Sequence, residues 1–341
     1  MCVSRTVTTA SCLVLAGDIG GTKTDLGLFA GSGLPDSLLR IQRYYNRDVA
    51  GVEELIASFL ADVSETPSIC CLGVAGPVFD NRVQMTNLGW RLDGAALRHR
   101  FGFETILVND MEAMAAGILL LGPEAMHPLN PGRPVADGVL GVLALGTGLG
   151  QAYVVPQGQD DGIFPSEGGH ASFAPRTSEQ IALLQWMLDQ QDHVSVEQVC
   201  SGTGLPALYA YFCERAVASG QMQADPAACG WQTPRIVEAG LQASPVPPAR
   251  AALEMLVDIL AAEAANLALK VLATRGIVIG GGLAGRLVSL MVPDCFMGIF
   301  CRGTYQRLLA DIPVHVVQHQ HVGLLGAAAR GVRAYCGSSR R

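Results

Sequence analysis

The stretch Leu13-Val14-Leu15-Ala16-Gly17-Asp18-Ile19-Gly20-Gly21-Thr22-Lys23-Thr24-Asp25-Leu26-Gly27-Leu28-Phe29 decides how this chain is read. Two apolar runs flank a bend rich in glycine and threonine, the pattern of a buried strand, a turn and a return strand. Glycine tolerates positive φ and lets the backbone approach a ligand with no Cβ in the way, while each threonine hydroxyl adds a donor. Such a bend can offer N–H groups to an anion such as phosphate. About 125 residues further on the pattern recurs, from Val139 to Val155 around Leu145-Gly146-Thr147-Gly148-Leu149-Gly150. One hairpin of this kind is an ordinary turn; two suggest similar lobes serving one polyphosphate.

With 341 residues, half of them hydrophobic, the chain exceeds the usual single-core size and can fill two cores. A net charge of −7 without a run of Lys or Arg argues against a nucleic-acid partner. Mean hydropathy is high at +0.32. The longest helical stretch, Pro248 to Thr274, nevertheless carries Arg250, Glu254, Asp258, Glu263 and Lys270, so it reads as a core helix and no membrane partner is expected. Ten cysteines with no C-x-x-C pair suit reduced thiols. The segment Val7 to Cys12 is broken by hydroxyl residues and runs into the first strand, which makes it a poor signal peptide. A cytoplasmic enzyme is expected.

Strands and helices alternate along the chain. Val52 to Val63 reads as a helix, Ile69 to Val74 as a strand, Ala95 to Phe101 as a short helix, and Thr105 to Val108 as a strand ending at Asn109-Asp110. The Met/Ala/Leu-rich segment from Met111 to Leu121 is a helix, so its N-terminus lies at a strand end, where open α/β sheets place ligands. Helices follow at Glu179 to Gln190, Leu205 to Ala218 and Pro248 to Thr274, with a strand at Gly276 to Ile279 and a final strand and helix between Pro313 and Ala334. The proline-rich stretch Pro128 to Pro134 reads as a loop near the lobe boundary.

The polar residues suggest what the two lobes hold. Asp110 stands where a strand hands over to a helix, and the positive end of the helix dipole favours its ionised form. Capping the helix is the commonest use of Asp in such a place, and it can do both. In Ser166-Glu167-Gly168-Gly169-His170 an acid and an imidazole three residues apart can converge on one polar ligand. A third acid, Glu197, precedes Cys200-Ser201-Gly202-Thr203-Gly204. Three acids and a histidine with no metal-ligand spacing suit a polyhydroxyl compound better than an anion. Gly280-Gly281-Gly282-Leu283-Ala284-Gly285 also fits the dinucleotide fingerprint. Only 56 residues follow Gly285, too few for the rest of a doubly wound cofactor domain. A glycine-rich strand-to-helix turn of this kind could equally cup an adenosine.

In this order and spacing the motifs resemble the bacterial glucokinase family, within the superfamily of sugar kinases, heat-shock proteins and actin. The markers are Gly17-Asp18-Ile19-Gly20-Gly21-Thr22, Met85-Thr86-Asn87 with Trp90, Asn109-Asp110, Leu145 to Gly150, Glu167-Gly168-Gly169-His170, Glu197 with Ser201-Gly202-x-Gly204-Leu205, Gly280-Gly281-Gly282, and Gly323-Leu324-Leu325-Gly326. The resemblance runs from Leu13 to about Tyr335. It implies a two-lobed actin-like ATPase (ribonuclease H-like) α/β fold, each lobe a mixed sheet flanked by helices, with the active site in the interlobe cleft. The implied boundaries put residues 1–112 and 318–341 in a small domain and 113–317 in a large one.

The implied activity is transfer of the γ-phosphoryl group of ATP to the 6-hydroxyl of glucose, the first step of glycolysis, by a cytoplasmic homodimer. Asp110 would be the base, with Asn109, Glu167, His170 and Glu197 holding the remaining hydroxyls. Asp18 would organise Mg²⁺ through its waters. Gly20, Gly21 and Thr22 would cradle phosphates from one lobe and Gly146, Thr147 and Gly148 from the other, with Gly280, Gly281 and Gly282 against the nucleoside. Kinases of mannose, fructose or an N-acetylhexosamine, and a sugar-sensing regulator on the same scaffold, are the alternatives. Only 17 residues precede Asp18, which leaves a regulator little room for a DNA-binding helix-turn-helix.

Lys23 stands where many glucokinases have Asn, and Gly-Gly-Thr-Lys-Thr also occurs in the related repressor and sugar kinase family. That family carries a zinc motif, C-x-C-G-x-x-G-C, beyond its E-x-G-H, whereas no cysteine lies between Cys71 and Cys200 here. No structural zinc is expected, and His315, His319 and His321 read as strand and loop surface.

Overall fold

The apolar runs flanking both glycine bends form antiparallel hairpins in the computed structural model, which describes residues 12–31, 34, 36–85, 88–158, 160–222 and 230–338. The chain divides into two units, the first Met1–Pro123 with His321–Arg341 and the second Glu124–Gln320. The N-terminal stretch before Cys12 and two marker residues, Thr86 and Asn87, lie outside the described residues.

In the first unit, β1 (Leu13–Ile19), β2 (Lys23–Ala30), β3 (Leu38–Tyr45), β4 (Ile69–Val74) and β7 (Glu104–Asn109) form one mixed sheet of order β3-β2-β1-β4-β7. Strands β3, β2 and β1 run antiparallel, while β1, β4 and β7 run parallel. Strand β4 is buried along its whole length, which is why it reads as an unbroken apolar run. Between β4 and β7 lie a small ribbon, β5 (Arg82–Gln84) with β6 (Arg91–Asp93), and α2 (Gly94–Phe101). One core cluster joins Leu15, Ile19 and Leu26 to Val52, Leu55, Ile56 and Phe59 of α1 (Val52–Leu60). Another joins Val14, Ala16 and Phe29 to Ala113 of α3 (Asp110–Ile118) and to Leu324, Leu325, Ala327 and Ala328 of the terminal helix Val322–Ser338.

A Cβ on Gly326 would collide with the carbonyl of Ala113, and one on Gly117 with that of Val322, so these two helices pack backbone against backbone. Helix α3 therefore belongs with the first unit. The division falls after Pro123 and after Gln320, against the expected 112/113 and 317/318, because the helix that starts at Asp110 is bound into the first unit's core.

The second unit repeats the scheme. Strands β9 (Leu140–Leu145), β10 (Leu149–Gln157), β11 (Asp160–Ser166), β12 (Gly276–Gly280) and β13 (Val314–Val317) take the order β11-β10-β9-β12-β13 with the same directions, and β8 (Met126–Asn130) is added at the β13 edge. Part of the expected Pro128 to Pro134 loop is thus strand. Pro128 lies opposite His315 in this ladder, and an edge strand is where a residue without an N–H can be accommodated.

Helices α4 (Ser178–Leu188), α5 (Val196–Val199), α6 (Leu205–Ala218), α7 (Thr233–Leu241) and α8 (Pro247–Val271) follow. Helix α8 ends at Leu272 in the left-handed region (φ 49) and buries residues along most of its 25-residue length in the main core cluster. After β12 come α9 (Gly282–Leu287), α10 (Pro293–Phe300) and α11 (Gln306–Asp311), and the terminal helix Val322–Ser338 is α12. No single described helix is long and apolar enough to cross a membrane. No disulfide joins the described cysteines.

Candidate active site

The bend of the first unit, residues 20–22, is held from behind by one side chain. Asn46 is 4 % exposed, and its Nδ2 donates to the Gly20 carbonyl at 2.8 Å. Its Oδ1 accepts from Thr24 Oγ1 at 2.7 Å, and its backbone N–H donates to the Thr22 carbonyl at 3.1 Å. Gly20 N–H donates to the Lys23 carbonyl at 3.1 Å. Among the described residues nothing accepts from the N–H groups of Gly21 and Thr22. Thr22 is exposed and Gly21 half-buried, so these two adjacent N–H groups are open to an incoming ligand, and successive free amides in a braced bend make a place for an anion. Trp90 lines a cavity of about 530 Å³ beside this bend, with Gly21, Thr22, Tyr45 and Arg47.

Asp18 and Asp25 lie opposite each other where β1 meets β2. Burial pushes the Asp18 carboxyl up to about 6, and the like charge of Asp25 adds to the rise against Lys23, His321 and Arg43. No described residue donates a hydrogen bond to that carboxylate, and a Cβ on Gly323, at the start of α12, would lie 2.7 Å from its Oδ2. Asp25 goes the other way. Burial pushes its carboxyl up, but two Arg43 hydrogen bonds of 2.6 and 2.7 Å, with His321 Nδ1 at 3.4 Å, hold it well below the usual carboxylate range. His321 is therefore an inward partner of Asp25, not the surface histidine expected, because the turn into α12 carries it over β2.

Asn109 and Asp110 divide the roles at the end of β7. Asn109 caps α3, its Oδ1 accepting from Met111 N–H at 2.9 Å and Glu112 N–H at 3.4 Å, while its Nδ2 donates to the Gly76 carbonyl at 3.0 Å. One amide hydrogen of Asn109 remains for a ligand. Asp110 is the first residue of the helix and accepts from Met111 N–H at 2.9 Å, with the positive end of the helix beside it.

In the second unit the bend at residues 146–148 is braced by a backbone segment. Gly202 N–H donates to the Gly146 carbonyl at 2.9 Å, Thr203 N–H and Oγ1 donate to the Thr147 carbonyl at 3.0 and 3.1 Å, and Gly146 N–H donates to the Gly148 carbonyl at 3.0 Å. All three carbonyls are engaged. The N–H groups of Thr147 and Gly148 have no partner among the described residues. Gly281, at φ +98, fits because a Cβ there would collide with Leu145, the last residue of β9. Since Gly280 of β12 pairs with Ala144, the turn from Gly280 to Gly282 lies beside this bend.

Glu197 adjoins the same bend. Its helix α5 is fixed by a capping box between Ser195 and Gln198, and its Oε2 accepts from Leu149 N–H at 2.7 Å. A Cβ on Gly148 would collide with that carboxylate. His170 Nδ1 lies 3.9 Å from Glu197 Oε1, and His170 Nε2 lies 3.8 Å from Glu167 Oε2. Both separations exceed hydrogen-bond length. With the Glu167 and His170 side chains 65 % and 63 % exposed, the three groups are open to a ligand. Among the described residues no group of three acidic, His or Cys side chains is arranged to hold a metal ion.

Comparison with known proteins shows what the chain as a whole is similar to. The family model described as Glucokinase matches residues 15–333. A glucokinase of Nostoc punctiforme is 36 % identical over 345 aligned residues, covering 94 % of this chain and 99 % of that protein. The glucokinase of an Antarctic psychrotroph, solved by crystallography, superposes with a TM-score of 0.78 at 27 % identity, covering 94 % of this chain and 99 % of that one. A glucokinase of Streptomyces griseus from the ROK family, solved with glucose and AMPPNP, superposes at 0.65 with 21 % identity, covering 94 % and 99 %. The two-lobed actin-like fold is thus the one expected. With a family model running over nearly its whole length and a relative above one-third identity, the chain belongs to the glucokinase family.

Proposed function

We propose that this protein transfers the γ-phosphoryl group of ATP to the 6-hydroxyl of D-glucose, giving glucose 6-phosphate and ADP. The observation that carries this reading is in the second unit, where two carboxylates and an imidazole suited to hydroxyl groups adjoin a bend with two free N–H groups. A polyol and a phosphate are the pair that such a juxtaposition accommodates. The Streptomyces griseus relative, solved with glucose and AMPPNP, supports the same pair.

The family resemblance, together with the local chemistry, supports these roles. The N–H groups of Gly21 and Thr22 and those of Thr147 and Gly148 bind phosphate oxygens, and the turn from Gly280 to Gly282 meets the nucleoside. Glu167, His170 and Glu197 hold sugar hydroxyls, and the free amide hydrogen of Asn109 takes one more. Asp110 faces the 6-hydroxyl. Phosphoryl transfer has a loose transition state, so a proton leaves the hydroxyl late. A carboxylate, with a pKa of about 4, cannot deprotonate a free alcohol beforehand. Asp110 therefore orients the hydroxyl first and accepts the proton as the new P–O bond forms.

Asp18 fits an aquated Mg²⁺. Its carboxylate is pushed up to about 6 by burial and receives no hydrogen bond from a described residue, so cation-bound waters would supply the missing donors. Mg²⁺ keeps several of its waters when one carboxylate and the phosphates hold it. When bound, it neutralises charge on the phosphate oxygens. Family resemblance supports a cytoplasmic homodimer.

The test is ATP-dependent turnover of purified protein with Mg²⁺ across glucose, mannose, fructose and N-acetylglucosamine. D-Glucose is expected to give the highest kcat/KM, because polar groups set for one arrangement of hydroxyls are left unpaired when a hydroxyl is moved to another position or orientation or replaced. No turnover on any hexose would sink the proposal.

A further inference from the structure

Glu197 touches two sets of groups. One oxygen faces His170, while the other accepts the N–H of Leu149, the residue that closes the 146–148 bend. The bend is packed so closely on this carboxylate that residue 148 has no room for a Cβ. Downstream of Glu197, Gly202 and Thr203 hold the carbonyls of Gly146 and Thr147. A Cβ on Gly204 would collide with the Gln198 carbonyl, so the clasp folds back tightly on α5.

The direction in which Thr147 and Gly148 point their N–H groups depends on peptide planes that the clasp sets from one side and Glu197 from the other. A hydrogen bond to an ionised acceptor is about twice as strong as a neutral one. We propose that Glu197 is a positioning residue for the nucleotide as well as a contact for the sugar: its carboxylate holds the second phosphate bend in its binding shape with no sugar present. This rests on reading the bend as an ATP site and Glu197 as a sugar contact. Sugar and nucleotide then share one side chain, and neither affinity is set independently of the other.

The experiment measures AMPPNP binding with Mg²⁺ by calorimetry in the absence of sugar. Glu197→Ala is expected to weaken AMPPNP about tenfold or more, the size of a lost hydrogen bond to a charged group. Glu197→Gln keeps a neutral oxygen acceptor for Leu149 N–H and is expected to recover about half of the lost binding free energy while glucose binding stays weak. Glu167→Gln should leave sugar-free AMPPNP affinity unchanged. Unchanged AMPPNP affinity in Glu197→Ala overturns the proposal, and so do equal losses in the Ala and Gln variants.

If Glu197→Ala does not fold, Gly148→Ala replaces it. Its methyl group displaces the carboxylate, so AMPPNP and glucose affinities must fall together, and a loss confined to AMPPNP overturns the proposal. Absence of AMPPNP binding by the wild type overturns both this proposal and the kinase reading. Absence of hexose turnover with AMPPNP binding intact overturns only the kinase reading.

Discussion

The two glycine bends have the same strand context and the same outcome, carbonyls engaged and two N–H groups left free, yet they reach it differently. The first is braced by one buried side chain, Asn46, which is not among the residues proposed to hold sugar hydroxyls. The second is braced by the segment from Glu197 to Thr203, whose leading residue also faces His170. Equivalent anion-binding geometry can therefore be kept by a dedicated support or by a support shared with the partner substrate. The difference teaches that the proposed coupling belongs to the second bend, whose support includes a residue of the proposed hydroxyl-binding set.

The largest effect expected belongs to neither bend. Asp110→Asn should lower kcat by about 10²- to 10⁴-fold, the range for losing a positioned proton acceptor, while AMPPNP binding stays nearly intact. Measured together, these two quantities separate chemistry from phosphate binding, and a normal kcat would return Asp110 to plain helix support. Next in size, Asn46→Ala leaves the Thr24 hydroxyl and the Gly20 carbonyl without their partner, at about 1–3 kcal/mol for a buried group left unsatisfied. AMPPNP affinity and melting temperature should both fall while the glucose Kd holds. A glucose Kd that rose in step would erase the contrast drawn between the two supports.

The smallest effect is a pH dependence at Asp18. Its folded pKa of about 6 stands above the ordinary carboxylate value near 4, so between those values the native protein holds a proton that the unfolded chain has lost. Stability from this group is full below about pH 4 and declines as pH rises towards 6. In metal-free protein, Asp18→Asn should therefore melt higher than wild type at pH 7, with the gap closing near pH 4. A gap independent of pH would remove burial as the cause of the shift.

Much of this was legible in the chain. Apolar runs such as Ile69 to Val74 and Val142 to Leu145 announced the central strands, and the glycine bends between paired runs announced the duplicated hairpins, because a buried strand and a tight turn both leave local marks in composition. Asn46 left none. At the end of Tyr44-Tyr45-Asn46 it looks like an ordinary turn residue, and the groups it holds lie more than twenty positions upstream. His321 was misread for the same reason: its partner Asp25 is close only after α12 packs on the sheet. At Asn109-Asp110 the order of residues suggested an aspartate cap, whereas the strand's last residue, Asn109, takes the N-cap position and Asp110 becomes the first residue of the helix. Pro128 reads as a loop marker until the edge of the sheet is known.

The turn after β12 separates two pressures on sequence variation. At position 281 backbone conformation alone requires glycine, since φ is +98 and a Cβ would strike Leu145. At position 282 an added Cβ would meet open space. In a saturation library selected only for folded protein, every replacement of Gly281 should be depleted and many of Gly282 retained. Depletion at Gly282 that emerges only when growth depends on enzymatic turnover would then be the imprint of the nucleotide itself.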